Sequence, residues 1–239
     1  MNILILSTET THHKFYIYQL SRHYKNITVI FESNKSFNEL STKHHFEIAR
    51  DNYESQIWSK ELQIPINNLC NNFYSVTNIN NLEVLEILKN KYDVCIIFGT
   101  RKIISPILEN LPNLTFNLHG GDPQIFRGLD SHLWALWHNN ISGLKVCMHK
   151  LSKELDKGDI FRMDPLDISR IDYLYQLRAL TTESCIQLSL SLLRNISQNI
   201  KIQFIPQINV GKYFSLIPFT YKDKCIQNFK NIKKNNYEI

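Results

Sequence analysis

The sequence predicts an α/β fold, a mainly parallel sheet covered by helices, and three observations predict it. Short apolar runs alternate with amphipathic stretches along most of the chain, the order in which crossover helices connect parallel strands. The run Val94-Cys95-Ile96-Ile97-Phe98 is apolar at every position, as a strand buried on both faces has to be. Residues 172–196 repeat Leu174, Leu177, Leu180, Ile186, Leu190 and Leu193 at roughly helical spacing, which supplies an amphipathic cover for such a sheet.

Taken in order, residues 2–7 read as a first strand and residues 11–23 as a short helix with Phe15, Ile17, Tyr18 and Leu20 at its apolar positions. Ile27, Val29, Ile30 and Phe31 mark a second strand over residues 26–32. Residues 36–62 form a longer, more polar helical region with room for a break, and residues 71–76 are weakly strand-like. Leu82, Leu85 and Leu88 give residues 81–92 a helical period. After residues 94–98, Ser105 stands where it can cap a short helix beginning at Pro106. Residues 114–118 are the next strand, and residues 131–138 a helix whose Trp134 and Trp137 read as core. Residues 144–151 and 160–168 read as strands on either side of a turn at Asp156. The helix at 172–196 has Ser169 or Asp172 as its cap, and the β-rich pieces 201–205 and 212–217 lie around Pro206 and Gly211.

This pattern is Rossmann-like over residues 1–199, with residues 200–239 as a short C-terminal β-hairpin extension and tail. The first strand runs into Thr8-Glu9-Thr10-Thr11-His12-His13, so the Gly-x-Gly-x-x-Gly fingerprint of a dinucleotide pyrophosphate is missing.

At 239 residues, 43% hydrophobic and 21% charged, the chain suits one sizeable globular core. No apolar stretch approaches the roughly 20 residues that span a bilayer, so no membrane partner is expected. Met1-Asn2-Ile3-Leu4-Ile5-Leu6-Ser7 reads as a strand rather than a signal peptide, which makes a cytoplasmic location the expectation. Cys70, Cys95, Cys147, Cys185 and Cys225 are widely spaced without a Cys-x-x-Cys, against disulfides or a thiolate metal site. Lys222, Lys224, Lys230, Lys233 and Lys234 carry much of the +5 formal charge. They read as a solvated, partly frayed terminus rather than a nucleic-acid surface. The pairs His12-His13 and His44-His45 read as surface histidines. No metal is expected at His119, Asp122 and Asp156, which lack metal-ligand spacing.

The chemistry concentrates in Phe116-Asn117-Leu118-His119-Gly120-Gly121 and in Leu155-Asp156-Lys157-Gly158-Asp159-Ile160. Asn117 and His119 are two residues apart on a strand and share a face. The glycines behind them permit a tight turn and close backbone approach at Gly120. An Asn-x-His pair is a weak signal alone, and Leu-Asp-Lys-Gly is also a serviceable turn. Together they make a set: His119 carries a proton, Asn117 is a neutral donor for an oxyanion, and Asp156 orients the imidazole and favours its protonated form. Ser131 lies outside any nucleophile elbow and Cys147 sits within a strand. The set therefore suits direct acyl transfer to an amine, without a covalent enzyme intermediate. Arg127 either binds a phosphate bidentately or braces its own loop. Asp130 and His132 touch sugar or base, unless Asp130 only caps the following helix. Thr8, Thr10 and Lys14 follow the first strand, where a helix start can hold a phosphate.

The run Phe116 to Gly128 with Leu155 to Ile160 resembles the 10-formyltetrahydrofolate-dependent formyltransferases, which include methionyl-tRNA, glycinamide ribonucleotide and sugar N-formyltransferases. The resemblance covers residues 94–160 well and the N-terminal third only in pattern. It implies that Asn117, His119 and Asp156 are catalytic. It also implies that Phe98, Gly99, Thr100, Arg101 and Ile104, with Leu155 and Asp156, hold a folate cosubstrate, 10-formyltetrahydrofolate. Gly120, Arg127, Asp130, His132, Thr8, Thr10 and Lys14 are the expected acceptor-binding residues, read from their places in this sequence. His119-Gly120-Gly121-Asp122 departs from the family's usual His-Gly-Ser or His-Ala-Ser. Little more than forty residues follow residue 196, which disfavours tRNA. The chain is most similar to enzymes acting on nucleotide-linked amino sugars, and the expected acceptor is a dTDP-4-amino-4,6-dideoxyhexose for surface polysaccharide. In those relatives a C-terminal hairpin builds a homodimer, and residues 202–205 with 213–217 are the candidate. Another small amine, folate hydrolysis, and a non-enzymatic folate- or nucleic-acid-binding role are the alternatives.

Overall fold

The computed structural model describes residues 1–33 and 43–237. In chain order the elements are β1 (Ile3–Thr8), α1 (Thr11–Ser21), β2 (Ile27–Glu32), α2 (His45–Ile57), β3 (Asn72–Val76), α3 (Glu83–Leu88), β4 (Val94–Phe98), α4 (Ile107–Asn110) and β5 (Thr115–His119). There follow β6 (Phe126–Gly128), α5 (Ser131–Trp137), β7 (Lys145–Lys150), β8 (Ile160–Pro165), α6 (Leu177–Ser197), β9 (Lys212–Phe214) and α7 (Lys222–Tyr237). The part of the expected 36–62 helix that precedes residue 43 lies outside the described residues.

The expected α/β architecture is present. One seven-stranded sheet has the order β3-β2-β1-β4-β5-β7-β8. It is parallel from β3 to β5, and β7 and β8 add antiparallel. The period-2 alternation of strand side chains divides the apolar residues between two faces. Ile3, Ile5 and Ile96 join one cluster with Phe15 and Tyr16 of α1 and Leu188 and Leu192 of α6. Leu4, Leu6, Cys95 and Ile97 join a second cluster with Val84 and Ile87 of α3 and Ile107 of α4. Burial on both faces explains why β4 carries no polar residue and β1 only Ser7 and Thr8 at its C-terminal end. Tyr16 Oη and Ser189 Oγ meet at 2.7 Å between α1 and α6.

The C-terminal segment departs from the expected hairpin. The candidate strands 202–205 and 213–217 do not pair with each other; each joins the body of the protein. Ile205 and Ile160 exchange both backbone hydrogen bonds at 2.8 Å. β9 pairs in parallel with β6. The chain approaches so closely that a Cβ on Gly211 would lie 2.4 Å from the Pro123 carbonyl oxygen. The basic tail is also not a frayed end. It forms α7, whose Cys225, Phe229 and Ile232 are buried in the main cluster. Its lysines are partly engaged: Lys222 pairs with Glu47 at 2.9 Å, Lys224 Nζ sits 4.1 Å above the Trp137 ring, and Lys233 donates to Ile168 O at 3.2 Å. Among the described residues, no helix is long and apolar enough to cross a membrane.

Candidate active site

β5 and β7 build the floor of the site. Their antiparallel register sets Asn117 directly opposite His149. The turn after β7 then returns sharply, with Lys150 N–H donating to Asp159 O at 2.8 Å. Only a glycine fits at its inner position, since a Cβ on Gly158 would overlap the Lys150 carbonyl oxygen at 1.7 Å. Asp156 takes the left-handed conformation here, φ 54°. Gln207 clamps the turn by donating to Asp156 O at 2.9 Å and Gly158 O at 2.8 Å.

The three groups expected to act together do converge on this turn. Asp156 Oδ1 accepts from Asn117 Nδ2 at 3.3 Å, and Oδ2 accepts from Gly128 N–H at 2.9 Å. His119 Nδ1 lies 3.7 Å from Oδ2. On the other side of its ring, His119 Nε2 donates to the Phe126 carbonyl at 2.9 Å. Burial raises the Asp156 pKa, but His119, His149 and the Gly128 N–H outweigh it and hold the carboxyl down at about 2. Burial lowers the pKa of His119, against the upward pull of Asp156 and the Phe126 carbonyl. The expectation that Asp156 favours the protonated ring holds in direction, since the carboxylate raises the His119 pKa. Loss of water around a ring only 6% exposed prevails over that pull, and His119 rests neutral beside an ionised Asp156.

A cleft beside this group is lined by Thr100, Arg101, Ile103, Asn117, His149 and Leu155, with Asp156 at its end. Its volume is about 40 Å³, room for only a few waters. Of the folate-loop residues expected from sequence, Gly99 turns at φ 88° and carries the His13 ring 2.4 Å from where a Cβ would stand. Thr100 Oγ1 is buried without a hydrogen-bond partner. Phe98 is buried, and exposed Ile104 is tied back by its N–H to Asn80 Oδ1 at 2.9 Å. Arg101 donates from its N–H at 3.0 Å and from Nε at 2.5 Å to Glu32. That fully buried carboxylate also accepts from Ile79 N–H at 2.8 Å.

The residues expected to meet the acceptor fare differently. Gly120 follows β5 beside His132, whose Cε1 would lie 3.3 Å from a Cβ there. Arg127 braces loops: Nε donates to Gly211 O at 2.7 Å and Nη1 to Leu155 O at 3.1 Å. Asp130 makes no side-chain cap; its Oδ2 accepts from Ile217 N–H at 3.0 Å and so anchors the C-terminal segment. His132 donates from Nε2 to Lys145 O at 2.6 Å, and burial pushes its pKa down to about 4. Thr8 and Thr10 both bond His13 Nδ1 at 2.8 Å, and Lys14 pairs with Glu9 at 3.0 Å. His12 and His13 are not surface residues. The start of α1 lies at the C-terminal ends of β1 and β4, His13 stands edge-on to Phe98 at 4.4 Å, and burial with Arg178 nearby lowers its pKa to about 3. His44 is buried too, its ring against Phe219 at 4.7 Å. His44, His45 and Asp223 bring ligand atoms within 4.8 Å of one another. However, His44 Nδ1 accepts from Phe46 N–H at 3.2 Å, so its hydrogen lies on Nε2, facing Asp223. That nitrogen is a donor to a carboxylate, not a lone pair for a metal.

Two residues of the site were not singled out from sequence. His149, 1% exposed, places Nε2 3.2 Å from Asn117 Nδ2 and 3.6 Å from Asp156 Oδ1. Its signal was a histidine at the end of an apolar run, like His119. Glu32 was the acid that closes an apolar strand.

No protein-family model and no curated protein matches the chain. Solved structures match it in fold. The N-formyltransferase from Helicobacter canadensis, in complex with folinic acid and dTDP-3-aminofucose, is 17% identical with a TM-score of 0.60, over 98% of this chain and 82% of that one. A 4-N formyltransferase from Francisella tularensis is 14% identical with a TM-score of 0.60, over 95% and 87%. HypX from Aquifex aeolicus, in complex with tetrahydrofolic acid, is 17% identical with a TM-score of 0.56 over all of this chain, which spans 35% of HypX. At these identities what is shared is the fold.

Proposed function

We propose that this protein transfers a formyl group from 10-formyltetrahydrofolate to the amine of a nucleotide-linked amino sugar. The observation that carries the reading is the convergence of Asn117, His119 and Asp156, of which Asn117 and Asp156 line a narrow cleft. Two further facts support it. Thr100 Oγ1 is buried in that cleft and lacks a partner, which a ligand with polar edges would supply. Proteins of this fold are bound to folates and, in one case, to a dTDP-amino sugar. The cleft must widen to take a pterin, by outward movement of the loops at Thr100–Ile103 or Ser152–Leu155.

The folate supplies the formyl group at the level of an amide. The chain's own residues do the rest. The neutral amine attacks the formyl carbon, and Asn117 Nδ2 gives up a long hydrogen bond to donate to the oxygen as it gains charge. His119, neutral at rest with its Nε2 hydrogen on Phe126 O, has the Nδ1 lone pair for the amine's proton. The resulting imidazolium lies 3.7 Å from the ionised Asp156. The same proton passes to the folate nitrogen as the carbon–nitrogen bond to it breaks, which leaves a formamide and tetrahydrofolate. A dTDP-4-amino-4,6-dideoxyhexose is the acceptor of choice, in a cytoplasmic route to surface polysaccharide. Two copies pair through the exposed apolar residues of the 205–216 segment.

Tetrahydrofolate release decides between readings. It should appear only when formyl donor and nucleotide-linked amino sugar are both present. Release without the sugar would mean hydrolysis, and no release with any amino sugar would sink the proposal. Asn117→Ala should lower kcat by about 10²–10³-fold while the protein stays folded.

A further inference from the structure

His149 is the penultimate residue of β7, as His119 is the last of β5, and its surroundings determine its tautomer. Nδ1 lies 2.8 Å from the Lys150 carbonyl oxygen, which can only accept. Nδ1 therefore carries the hydrogen, and in the neutral ring Nε2 carries the lone pair. That lone pair is 3.2 Å from Asn117 Nδ2, and Asp156 Oδ1 is 3.3 Å from the same nitrogen. An amide nitrogen has two hydrogens, and both now have acceptors. Reversing the amide would press its oxygen against a lone pair and a carboxylate.

We propose that His149 is a positioning residue: in its Nδ1–H tautomer it holds the Asn117 amide with the nitrogen at the Asp156 end, the polarity an oxyanion donor needs. The inference rests on the formyl-transfer reading of the site. The hold does not block catalysis. A 3.2 Å bond to a neutral ring is at the long limit, and a charged oxygen is the stronger acceptor. His149 has its other side secured by β7 itself, so the amide returns to the same orientation after each turnover.

Nitrogen-15 NMR of the imidazoles in the free protein tests the tautomer, with the His149 signal assigned by its loss in His149→Gln. A neutral Nδ1–H ring is expected. An Nε2–H ring overturns the proposal, because a ring donor would draw the amide oxygen instead. Kinetics test the role. His149→Leu should lower kcat by about 10- to 100-fold, with little change in the KM of the formyl donor. His149→Gln, whose side-chain oxygen can accept from Asn117, should recover most of the loss. A wild-type kcat in His149→Leu, or equal losses in Leu and Gln variants of wild-type circular dichroism, overturns it. If the wild-type protein transfers no formyl group at all, the formyl-transfer reading fails, and the tautomer measurement still decides how the amide is held.

Discussion

His13 shows how a single side chain is judged by what packs over it. In sequence it is half of a polar pair following a strand. In the fold, Thr8 and Thr10 donate to it or accept from it, and its ring covers Gly99. Its pKa of about 3, and that of His132 at about 4, lie below the ordinary value of 6.5. The folded state therefore resists a proton that the unfolded chain accepts. With more protons bound by the unfolded state, stability falls as pH drops from about 6.5 toward the folded values, and is fully retained above that range. The melting temperature should decline over this window. His13→Asn should flatten the decline, and an unchanged slope would remove His13 as its source. Asn117, His119 and Asp156 were legible because an i, i+2 pair on a strand and an acid in a glycine turn are local features. His149 was not, since its partner is 32 residues away and their meeting depends on the register of β5 with β7.

Among the elements, the loop after β4 is held from outside itself. Glu32 ends β2 and accepts hydrogen bonds from Ile79 N–H, Arg101 N–H and Arg101 Nε. Replacing it with alanine leaves two backbone donors without that acceptor and frees the loop that walls the cleft. Glu32→Ala should cost about 1–3 kcal/mol, reduced by the solvent exposure of Arg101. Faster amide hydrogen exchange over residues 99–103 is the accompanying sign; unchanged exchange there would contradict the bracing role. The C-terminal pieces show the opposite limit of element-level reading. Both are β-rich, and a hairpin is the simplest way to pair them. They instead found open strand edges at Ile160 and at β6.

For the whole molecule, the distribution of exposed apolar residues matters most. Ile205, Ile208, Val210, Tyr213 and Leu216 are 62%, 87%, 61%, 53% and 55% exposed, a concentration within one twelve-residue stretch. Such a stretch is what a second copy would cover in the proposed homodimer. Sedimentation should give twice the 28.2 kDa of one chain. Ile208→Lys should halve that mass; a monomer at micromolar concentration would end the homodimer reading. The basic tail belongs at this scale too. From sequence it read as a frayed end, and only packing of α7 on α5 shows which lysines are already engaged.

By itself the sequence determined most of the order of strands and helices up to α6, the doubly buried character of β4, and the neighbourhood of Asn117, His119 and Asp156. These follow from side-chain periodicity and glycine geometry, which act over a few residues. Tertiary structure decided the rest: His149 under the Asn117 amide, Glu32 behind the Arg101 loop, His13 out of water, and the partners of the C-terminal strands. Each depends on which distant segment occupies the adjoining space, and that is set by the burial and hydrogen bonding of the whole chain, not by local spacing.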